Sequence, residues 1–125
     1  MPKKTKEYDQ NIIAALKKLP IPLKTFDGHE IYFDVDKRDE TIYEHISDKK
    51  HHLFVVDIQR IPLILKDSLS LKPDRNGKRY RNYVGRRGKK NERLKYIRIC
   101  TEIHKNKKES VVTIYPVKKN DWMLN

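Results

Sequence analysis

Along this chain the apolar positions first recur every three or four residues and then, from about residue 79, every second one. Over TKEYDQNIIAALKKL (5–19) Tyr8, Ile12, Leu16 and Leu19 fall on one stripe, which predicts a helix. Thr5 is a candidate N-cap, and Pro20 and Pro22 end the helix. In LKTFDGHEIYFDV, Asp27-Gly28 between short β-prone runs predicts a hairpin, with Ile31, Phe33 and Val35 on the buried side of its strand. A second helix is expected over roughly 40–50, capped by Asp39 and edged by Ile42 and Ile46. FVVDIQRIPLILKDSL reads as a third helical region, which Pro62 must kink or split.

The period of two then predicts three strands, RYRNYVGRR, RLKYIRICTEIH and SVVTIYPVK. Their short connectors, GKKN and KNKKE, make antiparallel neighbours of them. In the middle strand Ile97, Ile99, Thr101 and Ile103 share one face, and Tyr96, Arg98, Cys100, Glu102 and His104 the other. In the last, Val112 and Ile114 are expected to alternate with Val111, Thr113, Tyr115 and Val117. The expected fold class is α+β: N-terminal helices and a hairpin packed on a C-terminal antiparallel sheet of about three to four strands, in a single domain over 1–125 with 1–20 as a helical extension.

Charge changes the picture. Residues 1–70 carry 12 Lys+Arg and 12 Asp+Glu, whereas residues 71–125 carry 17 and 5, so the whole excess of +12 lies in the C-terminal part. A one-sided field of this kind attracts polyanions. The sheet's cations Arg79, Arg81, Arg86, Arg87, Lys89, Lys90, Arg93, Lys95 and Arg98 alternate with Tyr80, Tyr83 and Tyr96. Cations for phosphates and rings for unpaired bases suit single-stranded nucleic acid. The plainer alternative is an exposed strand surface, on which Lys, Arg and Tyr are common.

Candidate chemistry is sparse. One cysteine, Cys100, allows no internal disulfide, and no Cys/His set suggests structural zinc. No apolar run approaches the ~20 residues of a membrane span, and the basic N-terminus does not read as a secretory signal, so a cytoplasmic protein with no membrane partner is expected. P-loop, dinucleotide-binding and serine-hydrolase motifs are missing from the sequence, and no cofactor is expected. Three of the five histidines fall in EHISDKKHH, as His45, His51 and His52. Metal ligation through His45, Asp48 and His52 lacks ligands and faces opposing lysines. A solvated charged face is the ordinary alternative for the cluster. His45 borders the apolar edge of its helix, where an imidazole can act as acid or base, and His51 falls off that face. Thr113, Tyr115 and Lys118 near the end of the last strand can hold a phosphate.

Together, the "EHI" helix, "IQRIPLIL", the basic strand "RNYVGRR" and the last strand "VVTIYPVK" resemble the phage-associated Barnase–EndoU–colicin–RelE-like nucleases, over roughly 26–118. The resemblance implies helices packed on an antiparallel sheet and metal-independent cleavage of RNA on the exposed sheet face. The family's helix histidine maps onto His45, and its last-strand hydroxyl onto Thr113 with Tyr115 alongside. His52, His104 and Glu102 compete for the general base. Such a reaction needs a base for the 2′-OH proton, an acid for the leaving 5′-oxygen, and cations around the phosphorane. The expected catalytic set is His45, His52, Arg98, Thr113, Tyr115 and Lys118, with Arg86 or Arg98 joining Lys118 to neutralise the phosphate. Arg79, Arg81, Tyr83, Arg86, Arg87, Lys89, Lys90 and Tyr96 are expected to bind nucleic acid. Expected partners are single-stranded RNA and an acidic inhibitor or antitoxin. The alternative is a non-catalytic basic nucleic-acid-binding module of phage or plasmid origin.

Overall fold

A computed structural model describes residues 10–32, 53–67 and 80–118, with the backbone alone at 71–73. The expected helix over 40–50 with His45, as well as Thr5, Tyr8, Phe33, Val35, His51, His52 and Arg79, lie outside the described residues. The elements are α1 (Gln10–Lys17), β1 (Leu23–Lys24), β2 (Glu30–Tyr32), α2 (Val55–Ile58), α3 (Ile61–Lys66), β3 (Leu71–Pro73), β4 (Tyr80–Arg86), β5 (Tyr96–His104) and β6 (Lys108–Val117).

The class is α+β, as the two periods require. The sheet is larger than expected: among the described residues it has six strands in the order β1-β2-β6-β5-β4-β3. The Asp27-Gly28 hairpin forms, with Gly28 at φ 83 in the left-handed region its turn requires. It joins the sheet instead of packing on it, because β2 runs parallel to β6 with Ile31 opposite Glu109. The sheet is therefore mixed. Short β3 pairs with β4 and ends in Pro73, a residue that suits an edge strand because it donates no ladder hydrogen bond.

Pro62 splits the third helical region as its missing N–H demands: α2 ends at Ile58, and α3 takes the proline into its first turn. The helices and one sheet face enclose a single core that includes Ile12, Leu16, Ile31, Ile58, Leu65, Tyr83, Ile97, Ile99 and Ile114. Each such aliphatic side chain contributes about 1.5–3 kcal/mol by leaving water. Within the N-terminal segment, α1 buries Ile12, Ile13 and Leu16 in this core and packs on α2.

One register feature overturns the simple alternation of the last strand. Cys100 pairs with Thr113 but Thr101 pairs with Val111, so Val112 is the extra residue of a β-bulge. Val111 turns into the core and Val112 is exposed, the reverse of a strict period of two. Beyond the bulge the expected order resumes, with Ile114 inward and Thr113 and Tyr115 on the opposite face.

Candidate nucleic-acid interface

The interface is built at the end of the β4–β5 pair. Arg87 leaves β4 and donates its backbone N–H to the Lys95 carbonyl at 3.1 Å, closing a loop that carries Lys89, Lys90, Arg93 and Lys95. The loop rests on α2. A methyl group placed on Gly88 would sit 2.2 Å from the Val56 carbonyl oxygen, so only glycine permits this approach.

Asp57 of α2 anchors the contact. Its fully buried carboxylate accepts from the Phe54 N–H at 2.8 Å, the Lys89 N–H at 2.9 Å, and Arg87 through Nε at 3.2 Å and Nη2 at 2.8 Å. Nη1 of Arg87 reaches the Leu94 carbonyl at 3.0 Å. A forked guanidinium on one carboxylate is both strong and geometrically selective. The Phe54 ring completes the seat, 5.0 Å from Lys89 Nζ and 5.9 Å from Arg87.

Arg60, Arg86, Lys89, Lys90 and Lys95 line a cleft of about 660 Å³ together with Tyr96, and no lining residue is a carboxylate. Arg87 lines the cleft while its fork is held by Asp57. Arg60 comes from the α2–α3 junction and touches the Arg86 carbonyl through Nε at 3.4 Å. In such a cleft the potentials of several cations add over a low-dielectric wall.

The cleft continues onto the sheet face that turns away from the core. In-register pairing makes three rows there: Arg86–Tyr96–Val117, Val84–Arg98–Tyr115 and Asn82–Cys100–Thr113. Arg98 donates Nε to Asn82 Oδ1 at 2.8 Å and lies 5.8 Å from the centre of the Tyr115 ring. This face is half-buried, not open: Asn82, Val84 and Val117 are buried, and Arg98, Thr113 and Tyr115 are partly covered.

The structure thus gathers Arg86, Lys89, Lys90 and Tyr96 in one cleft and sets Arg98, Thr113 and Tyr115 on the adjoining rows. Lys118 follows β6 at the cleft end and is exposed. His104 and Glu102 lie at the other end of β5, where His104 Nε2 is 2.7 Å from Ser110 Oγ. Three expected nucleic-acid ligands have partners within the fold. Arg87 lines the cleft and binds Asp57. Arg81 and Tyr83 sit on the core-facing side of β4, where strand alternation places every second residue.

Arg81 and Tyr83 belong to a second polar cluster around Glu109, whose side chain is 0 % exposed. Its carboxylate accepts from Tyr83 Oη at 2.9 and 3.0 Å, Thr101 Oγ1 at 2.6 Å and Arg81 Nη1 at 2.9 Å. His29 Nδ1 lies 2.6 Å from the same group. The same ring nitrogen lies 3.1 Å from Arg81 Nη1, so His29 stands between the carboxylate and the guanidinium. Arg81 also binds Asp27 through Nη2 at 2.9 Å. Burial, reinforced by the Glu109 charge, pushes the Tyr83 hydroxyl well above its usual range. Burial works against the charge on Arg81, but the Asp27 hydrogen bond and the surrounding anions outweigh it and hold the guanidinium protonated.

Asp57, Arg60 and the Glu109 cluster were not singled out in the sequence. Asp57 and Arg60 are three apart, one helical turn, in a segment that otherwise reads as core; this is the one signal that marks them. Among the described residues no group of three or more His, Cys, Asp or Glu side chains suits a metal ion, and no helix is long and apolar enough to cross a membrane.

Fold and cleft together define an α+β protein with a cationic cleft at one end of a mixed sheet. Comparison with protein-family models, curated proteins and solved structures finds no match to this chain.

Proposed function

We propose that this protein binds single-stranded RNA in the cleft and along the adjoining rows of the sheet. The observation that carries the reading is the cleft wall, which Arg60, Arg86, Lys89, Lys90 and Lys95 share with Tyr96 and no carboxylate. Phosphates meet the cations, and a base stacks on the tyrosine ring. The test is a titration of fluorescent single-stranded RNA at several salt concentrations. A steep fall of affinity with salt is expected, because each neutralised phosphate releases counterions. Affinity independent of salt would remove the cleft from the binding surface.

The finer reading is endoribonucleolytic cleavage without metal, of the kind the resemblance implies. It is favoured by the neighbouring rows that hold Arg98, Thr113 and Tyr115 beside the cleft. The 2′-oxygen gives its proton to a base and bonds to phosphorus, the P–O5′ bond breaks, and the 5′-oxygen takes a proton from an acid. The products are a 2′,3′-cyclic phosphate and a 5′-hydroxyl. In this reading His45, assisted by His52, transfers protons, Arg98 and Lys118 offset the charge on the phosphorane, and Thr113 and Tyr115 donate to it. The site of action is the cytoplasm, and an acidic inhibitor protein is a natural partner for the same cations. Cyclic-phosphate products formed in the presence of chelator support the reading, whereas tight binding with intact RNA leaves the non-catalytic module.

A further inference from the structure

We infer that Asp57 is a positioning residue for the cleft, fixing the cationic loop through Arg87 and through the Lys89 amide. The inference rests on the nucleic-acid reading and assigns a role to a buried carboxylate that never meets the ligand. Three observations on one short segment converge. Asp57 takes two hydrogen bonds from the Arg87 fork and one from the Lys89 N–H, so its oxygens set both the start of the loop and the first exposed cation after it. Phe54, whose own N–H binds the same carboxylate, places its ring beside Lys89. Gly88 lies against the Val56 carbonyl with no room for a Cβ, so the loop cannot slide along α2.

A buried ion pair of this type adds little stability over an apolar pair of the same shape, because both charges lose their water. Its distinctive property is direction. A planar fork that spans both carboxylate oxygens and also reaches the Leu94 carbonyl allows one loop geometry. The backbone that carries Lys89, Lys90 and Lys95 is thereby held on the cleft wall, which lowers the ordering cost of meeting successive phosphates.

The experiment compares the parent with Asp57→Asn in two measurements. Hydrogen exchange of the Lys89 amide in the free protein reads the anchor directly, and is expected to accelerate at least about tenfold when the carboxylate becomes an amide. The slope of log affinity against log salt for oligouridine of about ten nucleotides reads the number of phosphates engaged. It is expected to shrink by about 0.7–1.4, the loss of one or two contacts. Arg87→Lys serves the same purpose should Asp57→Asn fail to fold, since one ammonium cannot reproduce the fork. Thr101→Val is the control: it removes a buried hydrogen bond in the distant Glu109 cluster and is expected to keep the parent slope. A folded Asp57→Asn or Arg87→Lys protein with a lowered unfolding midpoint but the parent slope overturns the inference. If Lys89→Ala/Lys90→Ala also keeps the parent slope, it is the cleft reading that fails. A parent protein that binds no oligouridine overturns both.

Discussion

The Tyr83 hydroxyl lies 2.9 and 3.0 Å from the two carboxylate oxygens of Glu109, in a site with no exposure to water. The pair joins β4 to β6 across β5, Arg81 and Thr101 donate to the same carboxylate, and His29 Nδ1 lies 2.6 Å from it. A buried anion with several donors around it meets the condition under which a charge is tolerated in a core. Glu109→Gln replaces an acceptor by an amide and leaves Arg81 short of its partner. A loss of about 3–5 kcal/mol is expected in urea unfolding, against about 1–2 kcal/mol for Tyr83→Phe, which removes a single donor.

Asp27 gives the acid limb of stability a definite sign. Burial works to raise its pKa, but hydrogen bonds from Thr25 and Arg81 and the charges of Arg81 and His29 prevail and hold it below the usual carboxylate range. The folded state therefore binds this proton less readily than the unfolded chain. The stabilisation is complete above the unfolded pKa of about 4 and is lost as pH falls through the lowered folded value. Carboxyl NMR titration is expected to show the low Asp27 midpoint and its return toward the ordinary value in Arg81→Ala.

Gly88 tests how closely the loop rests on the helix. Gly88→Ala is expected to cost about 1–3 kcal/mol, because the obstacle is the Val56 carbonyl and not a side chain that can rotate away. Thermal unfolding measures the loss, and an alanine variant of parent stability would mean that the loop stands off α2.

Cations of similar sequence context are expected to behave differently. Lys89→Ala/Lys90→Ala is expected to retain stability and to lower the salt slope of RNA binding by about 1.4, two phosphate contacts. Arg81→Ala is expected to do the opposite, because Arg81 is paired with Asp27 and Glu109 inside the fold. Binding titrations and unfolding curves on the same preparations separate the two.

In the cleavage reading, His45→Ala is expected to slow RNA cleavage by about 10²–10⁴, the usual contribution of a positioned acid or base, with binding retained. Thr113→Ala is expected to lower the rate with little change in affinity, because its hydroxyl serves the phosphorane more than the ground state. Cleavage at the parent rate in either variant removes that residue from the mechanism.

Much of the architecture was legible because it is local. The helical stripe of Ile12 and Leu16, the break at Pro62, the turn at Asp27-Gly28 and the two faces of β5 each follow from backbone geometry over a few neighbouring residues. The concentration of cations in the C-terminal part pointed to the β4–β5 region, where the cleft lies. The separate fates of Arg86 and Arg87 were not legible: both line the cleft, but Arg86 is exposed and Arg87 is buried against Asp57.

What the sequence by itself determined, then, is the α1 stripe, the break at Pro62, the three long C-terminal strands, the inward face of β5 and the sign of the field. Only the tertiary structure decided that β2 joins β6 in parallel, that a bulge at Val112 reverses the start of the last strand, and which cations remain for a ligand. The reason is separation along the chain. Arg87 finds Asp57 thirty residues away, and Arg81 finds Glu109 at a distance of twenty-eight. A side chain's period is set by its neighbours in sequence, but its charge partner is set by whichever distant segment the folded core brings against it.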